Sequence, residues 1–143
     1  MADAHPKFDV QLVTPEGAVF TGEAEMLIVP GAAGEIGVLA RHAPLVATLR
    51  AGSTRIHLGN NEILEFATGP GFFKVETDVA LALVDDAIDV KAIDDTRAQE
   101  QLDAARAELE RVLAGESTAD KWQLEQRIKH AENQLTVSGR TTG

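Results

Sequence analysis

The sequence of 143 residues contains no cysteine, which excludes disulfide scaffolds, thiol nucleophiles and thiolate metal sites. Basic residues are also scarce, since 13 Lys and Arg stand against 23 Asp and Glu and give a formal net charge of -10. Nucleic acids are held mainly through basic side chains that neutralise phosphates, so this balance argues against a nucleic-acid partner. No apolar run approaches the roughly 18 to 20 residues of a membrane span, and we expect no direct membrane insertion.

The composition changes near residue 90. All five prolines and nine of the twelve glycines precede Ile88, whereas the remainder is rich in Ala, Leu, Gln, Glu and Arg. The formal charge divides into -7 for residues 1–88 and -3 for residues 89–143. We therefore predict two domains, 1–88 and 89–143, with different kinds of secondary structure.

Short apolar segments with a period of two dominate the first domain. Phe8, Val10 and Leu12 alternate with polar neighbours, as do Phe73 and Val75, and this period is typical of strands with one buried face. Tight turns are indicated by Gly, Asn and Asp at 59–62 and at 77–78. Frequent turns between short strands predict an antiparallel β-sandwich or flattened barrel, and with the helices of the second domain the fold class is α+β, an antiparallel β-sandwich followed by a helical hairpin.

The second domain has the period of an α-helix. One apolar stripe contains Ala98, Leu102, Ala105, Leu109 and Val112, and a second contains Leu124, Ile128, Ala131 and Leu135. Asp94 or Asp95 can cap the first helix, Gly115 can end it, and Ser117 or Thr118 can begin a capping box for the second. The short connection predicts an antiparallel helical hairpin, and the narrow stripes leave little apolar surface for anything beyond the helix seam.

Candidate catalytic and metal sites are few. The glycines at 31, 34 and 37 do not have the spacing of a phosphate-binding loop, and the four histidines do not have the spacing of metal ligands. Neither a catalytic residue nor a metal site is predicted. Asp94 and Arg97 stand three apart at a helix start, where free amides favour an anion, but a helix cap with a local Asp/Arg pair is the simpler interpretation.

The order of these segments resembles the epsilon subunits of rotary F-type ATP synthases over nearly the whole chain. The most specific matches are the segments 8–16 (FDVQLVTPE), 34–39 (GEIGVL), 42–45 (HAPL), 52–56 (GSTRI), 93–94 (ID) and 97–98 (RA). The resemblance implies a non-catalytic central-stalk subunit of a proton-translocating ATP synthase. Such a subunit couples rotor rotation to ATP synthesis and inhibits ATP hydrolysis through its C-terminal hairpin.

The resemblance also implies partners and interface residues. The sandwich would bind the gamma subunit and the ring of c subunits, with Glu35 facing the ring and His42 near the same end. The hairpin would lie folded or would extend toward the alpha and beta subunits. Ala40 and Arg41 stand where the family commonly has Pro-Gly, which puts the geometry of this turn in question.

Some family members bind ATP through an Ile/Leu-Asp-x-x-Arg-Ala motif, which Ile93, Asp94, Arg97 and Ala98 match. Other basic positions of strong binders are replaced here by Ala104, His130 and Gln134. We therefore predict no cofactor, with ATP as at most a weak regulatory ligand of Asp94 and Arg97.

Two other functions remain open at this stage. One is a nucleotide-sensing module that acts through Asp94 and Arg97, and the other is a sandwich adaptor with a helical arm. The polar N-terminal segment 1–9 does not resemble a secretory signal or a transit peptide. The expected location is the cytoplasmic side of a bacterial plasma membrane, peripheral to it, within the synthase complex.

Overall fold

The computed structural model describes residues 5–142, with the backbone alone for residues 140–142. Residues 1–4 and 143 of the two predicted domains lie outside the described residues. The chain divides into two compact units, Met1–Asp89 and Val90–Gly143. The first unit carries ten strands: β1 (Phe8–Thr14), β2 (Gly17–Ala24), β3 (Met26–Gly31), β4 (Gly34–Leu39), β5 (Leu45–Leu49), β6 (Gly52–Gly59), β7 (Glu62–Thr68), β8 (Gly71–Glu76), β9 (Val79–Val84) and β10 (Ala87–Asp89).

These strands form one sheet in the order β10-β7-β6-β3-β5-β8-β9-β1-β2, and β4 pairs with β3 outside this order. Glu25 lies at the corner between β2 and β3, and its amide donates to the carbonyl of His57 in β6 at 2.8 Å. This hydrogen bond brings the β2 end of the sheet to β6, so the sheet folds over into a sandwich. The predicted sandwich is confirmed and its pairing is mostly antiparallel. β1 and β9 run parallel, however. No turn joins these two strands, so no local sequence signal sets their relative direction.

The core lies between the two layers of this sandwich. The predicted alternation is confirmed in β1, where Phe8, Val10 and Leu12 are buried and Asp9 and Gln11 are exposed. Burying each large apolar side chain contributes about 1.5 to 3 kcal/mol before conformational entropy is counted. Fifteen buried side chains form one cluster: Phe8, Val10, Leu12, Ala24, Leu27, Val29, Val38, Leu49, Ile56, Phe66, Phe73, Val75, Ala80, Ala82 and Val84.

Two of the connections are tight turns at the predicted positions. Asn60 and Asn61 join β6 to β7 with φ of 55° and 65°, and Thr77 and Asp78 join β8 to β9 with φ of 52° and 57°. Positive φ at both central residues is the geometry of a type I′ turn, whose twist matches that of the flanking strands. Asn and Asp accept this geometry more readily than most residues, since their short polar side chains hydrogen-bond locally.

The second unit is a helical hairpin of α1 (Asp95–Leu113) and α2 (Lys121–Thr142), preceded by a short 3₁₀ turn (Val90–Ala92). Asp94 caps α1, because its carboxylate accepts the Arg97 backbone N–H at 3.1 Å. Gly115 follows the end of α1 with a φ of 78°, as its position in the sequence predicts. Within the described residues, no helix is both long and apolar enough to cross a membrane.

The predicted start of the second helix is wrong. Asp120 is the residue that caps α2, since its carboxylate accepts the amides of Trp122 at 2.9 Å and Gln123 at 3.3 Å. Ser117 instead donates its hydroxyl to the Glu108 carboxylate at 2.5 Å and accepts the Ala119 amide at 3.2 Å. Ser117 is therefore engaged with α1 and with the loop, and the connection between the helices is longer than predicted.

Candidate functional site

Glu35 lies at the beginning of β4, just after the turn that joins β3 to β4. Gly31 and Gly34 pair across this turn, and a methyl group on Gly31 would come within 2.6 Å of the Gly34 carbonyl oxygen. The Glu35 carboxylate forms an ion pair with Arg55 of β6 at 3.0 Å, with half of the Glu35 side chain exposed. A half-exposed pair of this kind contributes about 0.2 to 1 kcal/mol, so its effect is to orient Glu35 more than to stabilise the fold.

His42 lies in the connection between β4 and β5. Its Nδ1 donates to the carbonyl of Ala43 at 2.6 Å, which fixes the orientation of the ring. The preceding residue, Arg41, has a φ of 64° and occupies the left-handed region that favours glycine. The Asp78 carboxylate accepts the Arg41 N–H at 2.5 Å and so ties this connection to the turn between β8 and β9.

The expectation that Glu35 and His42 lie near the same end of the sandwich is wrong. Gly31 pairs with Gly34 at one end of the β3–β4 ladder, and Met26 pairs with Leu39 at the other. The four residue steps from Glu35 to Leu39 cover about 13 Å, and the connection to His42 begins only beyond them. Closeness in sequence was misleading because an extended strand lies between the two residues. Whether either residue contacts another subunit stays a prediction.

Three further carboxylates lie at the same end of the strands as Glu35. A cavity of about 250 Å³ between the β1–β2 turn and the segment before β10 has Glu16, Asp85 and Asp86 in its wall. Among residues 5–142, no three His, Asp or Glu side chains come close enough together to hold a metal ion. Glu16, Asp85 and Asp86 therefore make the wall of this cavity acidic.

At the start of the hairpin, the structure supports the capping role of Asp94. The carboxylate that accepts the Arg97 amide already occupies the place that an anion would take at this helix end. A cavity of about 440 Å³ nearby, between α1 and α2, is lined by Asp95, Glu100 and Leu135 among others. Asp95 and Glu100 are both exposed, and their two carboxylates oppose a polyphosphate because like charges repel.

Two contributors to these sites were not found from the sequence. Arg55 holds Glu35 across 20 positions of the chain, and Asp78 holds Arg41 across 37. A single sequence contains no signal for such pairs, since their meeting depends on the order of strands in the sheet. The predicted turn at Thr77 and Asp78, where Asp78 has a φ of 57°, was a local indication that Asp78 has a structural role.

Comparison with known proteins identifies the family. A family model described as ATP synthase, Delta/Epsilon chain, beta-sandwich domain matches residues 7–90. The ATP synthase epsilon chain of Halalkalibacterium halodurans is 35% identical over 135 residues, covering 94% of this chain and 99% of that protein. This chain belongs to the ATP synthase epsilon-chain family. It is thus a subunit of the ATP synthase complex and not an enzyme by itself, as predicted.

Other relatives agree on the family. The ATP synthase epsilon chain 1 of Methylococcus capsulatus is 37% identical over 100 residues, covering 70% of this chain and 71% of that protein. The epsilon chain of Propionigenium modestum, named sodium ion specific, is 39% identical over 102 residues, covering 71% of this chain and 74% of that protein.

Solved structures share the fold of this epsilon-family chain. A chain of the Euglena gracilis mitochondrial ATP synthase, solved as OSCP/F1/c-ring in rotational state 1, has a TM-score of 0.70 and 18% identity. The match covers 100% of this chain and 86% of that one. A chain of the Tetrahymena thermophila central stalk and c-ring has a TM-score of 0.55 and 14% identity, covering 97% of this chain and 98% of that one. At these identities the likeness shows the fold alone.

Proposed function

We propose that the chain works in the central stalk, where its sandwich binds gamma and the c-ring and its hairpin restrains ATP hydrolysis by the alpha and beta subunits. The single observation that carries this proposal is the match to the Halalkalibacterium halodurans epsilon chain, which extends over 94% of this chain and so includes both units. A chain of the Tetrahymena thermophila central stalk and c-ring has the same fold. The proposed location is peripheral, on the cytoplasmic side of a bacterial plasma membrane.

The construction of the hairpin supports a regulatory role. In α1 the buried residues are Ala98, Leu102 and Ala105, two of which are alanines. Because two of the three buried α1 side chains are alanines, α1 gains less from burial than a leucine-rich helix would, so the free-energy difference between two arrangements of the helices can be small. A ligand or partner with a modest preference for one arrangement can then shift the population.

The test is a reconstitution with gamma and the catalytic hexamer, using the full chain and a chain shortened to residues 1–89. We expect both to bind gamma, and the shortened chain to leave ATP hydrolysis several times faster. Unchanged hydrolysis would remove the inhibitory role and leave the stalk role intact. Failure of the full chain to bind gamma would contradict the stalk role and favour an adaptor unrelated to the motor.

The nucleotide-sensing alternative rests on the match of Asp94 and Arg97 to the ATP motif and on the exposed position of Arg97 at the helix start. The carboxylates of Asp95 and Glu100 weigh against it. We propose that ATP binds this chain weakly or not at all. Isothermal titration calorimetry of the full chain and of Arg97→Gln should show no difference at micromolar ATP, and micromolar binding that Arg97→Gln abolishes would overturn the proposal.

A further inference from the structure

The strand β4 leaves one edge of the sheet open. Within the described residues, β4 pairs with β3 alone. Gly37, in the middle of the strand, is exposed, and a methyl group placed on it would meet nothing within 4 Å. Leu39, at the end of the strand, is 56% exposed. The rest of the described chain therefore leaves the outer side of β4 uncovered.

The hydrogen bonds of β3 show which backbone groups of β4 face outward. The Pro30 carbonyl accepts the Arg50 amide at 2.9 Å, so Pro30 directs its backbone toward β5 and away from β4. In an antiparallel ladder, residues that exchange hydrogen bonds alternate with residues that do not. Val29 and its partner Ile36 therefore bond each other across the β3–β4 ladder. The alternate residues of β4 direct their N–H and C=O groups away from β3, and these are Glu35, Gly37 and Leu39.

These three residues form a row of backbone donors and acceptors along the open edge. Outside the strand ladders, no backbone hydrogen bond within residues 5–142 involves Glu35, Gly37 or Leu39. Successive members of the row are about 6.6 Å apart, since a strand rises about 3.3 Å per residue. A second extended strand placed alongside can bond all three residues.

The other two edges of the sheet are protected, whereas β4 is not. The edge strand β10 has only three residues, and the ladder that joins the edge strand β2 to β1 shifts its register between Leu12 and Val13. Short strands and bulges blunt the edges of natural sheets, as do lysine and proline. β4 contains neither lysine nor proline, and its pairing with β3 continues without a shift of register. β4 is therefore the edge best suited to pair with another chain.

The edge of β4 is complementary to itself. When two copies run antiparallel about a two-fold axis at Gly37, the two Gly37 residues face each other, and Glu35 of each copy faces Leu39 of the other. Each of these pairs can exchange both of its hydrogen bonds, so every outward group of the row is satisfied. We propose that two copies of this chain pair through β4 in this register. The pairing is independent of the proposed function.

Charge favours this register over its neighbour. The two Glu35 side chains are offset by four residues, or about 13 Å. Glu35 is paired with Arg55 of its own chain at 3.0 Å and meets the apolar Leu39 of the other copy. An axis at Glu35 would instead place the two carboxylates opposite each other, which is destabilising. The net charge of -10 on each copy opposes association, so the pairing is weak and strengthens as salt screens this repulsion.

Sedimentation equilibrium of the full chain, from micromolar to millimolar concentration and at low and high salt, measures the pairing. We expect a monomer–dimer equilibrium whose dissociation constant falls as salt is raised. Gly37→Pro removes the central N–H from both copies and should raise the dissociation constant by about tenfold or more. Gly37→Ala is the matched control, because it keeps the N–H and its methyl group has free space, so it should pair as the parent does.

Substitutions of Leu39 test the register separately. Leu39→Lys places an ammonium group opposite Glu35 of the other copy and should lower the dissociation constant about fivefold, whereas Leu39→Glu should raise it by a similar factor. A merely hydrophobic contact of Leu39 would be weakened by both variants. Leu113→Lys and Leu113→Glu are the matched controls, since Leu113 is 66% exposed on α1 and these variants change the net charge equally away from β4.

Amide hydrogen exchange locates the interface. As the protein concentration rises, the amides of Glu35, Gly37 and Leu39 should become protected. Those of Ile36 and Val38, which bond β3, should exchange at the same rate throughout.

Each outcome decides the inference. A dimer that Gly37→Pro dissociates, with an unchanged circular dichroism spectrum, and that Leu39→Lys strengthens beyond its Leu113 control supports the inference. If Gly37→Pro fails to fold, the opposite effects of the two Leu39 variants decide it alone. A monomer at every concentration and salt overturns the inference. A dimer that folded Gly37→Pro leaves intact, that both Leu39 variants weaken, or that protects amides only outside β4 also overturns it.

Discussion

The sandwich and the hairpin are built from different kinds of contact. Most of the largest fully buried side chains, among them Phe73, Leu12 and Ile56, lie in the sandwich, where strands from distant parts of the sequence meet. In the hairpin, three alanines are buried beside Leu102, Leu124 and Val137, and the backbone hydrogen bonds of the two helices join residues four apart. Stability in the sandwich therefore depends on a shared core, whereas stability in the hairpin depends on many small local contributions. Loss of one side chain should therefore cost more in the sandwich core than in the hairpin.

The comparison is tested most strongly in the sandwich core. Phe73→Ala should lower the free energy of unfolding by about 3 to 5 kcal/mol, because Phe73 is 1% exposed and its loss leaves a cavity. Urea denaturation followed by far-ultraviolet circular dichroism measures this change. The neighbouring Phe72→Ala is the matched control, since its side chain projects to solvent and its removal should cost less than about 0.5 kcal/mol. Similar losses in the two variants would contradict the assignment of the two faces.

A polar tie in the same unit should matter less than the core. Asp78→Ala removes the acceptor of the Arg41 N–H and places alanine at a φ of 57°, with an expected loss of about 2 kcal/mol. Asp78→Asn keeps an oxygen acceptor and tolerates this φ, so its unfolding midpoint should match that of the parent. Arg41→Gly should recover part of the loss in the Asp78→Ala background, because glycine needs no tie in the left-handed region. No recovery would show that the tie does not serve the Arg41 conformation.

The cap of α1 is the corresponding feature of the hairpin. Asp94→Ala should cost about 1 kcal/mol, because the Arg97 amide loses its acceptor. The loss should appear as fraying of the first turn in amide hydrogen exchange, without a change in the exchange of core strands. Asp94→Ser keeps a capping oxygen and should behave as the parent. Faster exchange in the sandwich strands of Asp94→Ala would show that the cap also stabilises the sandwich, and would contradict the view that its effect is local to the hairpin.

The sequence predicted features that depend on neighbours along the chain. The alternation at Phe8 to Leu12, the turns at Asn60 and Thr77, and the cap at Asp94 all follow from local backbone chemistry and are confirmed. The start of α2 was missed even though its cap is local, since Ser117 and Asp120 are both acceptable caps and the Glu108 carboxylate engages Ser117.

Features that depend on the order of strands could not be predicted. The parallel pairing of β1 with β9 and the ion pair between Glu35 and Arg55 join segments without a shared turn. The separation of Glu35 from His42 was predicted wrongly, because the two residues are seven positions apart and β4 extends between them. Arg41 adopts the conformation that suits the glycine common in the family, and the support for it comes from Asp78, 37 positions away.

The smallest predicted effect lies at the tip of the hairpin and depends on pH. The Ser117 hydroxyl lowers the pKa of the Glu108 carboxyl from its ordinary value of 4.5; partial desolvation opposes this shift, and the charge and hydrogen bond of Arg111 reinforce it. A carboxyl whose pKa is lower in the folded than in the unfolded protein stabilises the folded state. This stabilisation is complete at pH values above the unfolded-state pKa, and it is lost as the pH falls through the folded-state pKa. Carbon-13 NMR titration of the Glu108 carboxyl should therefore give a midpoint below 4.5 in the parent and one closer to 4.5 in Ser117→Ala. Since Ser117→Ala retains Arg111, a residual lowering should remain, and identical midpoints in the two proteins would show that the hydroxyl does not hold Glu108 in solution.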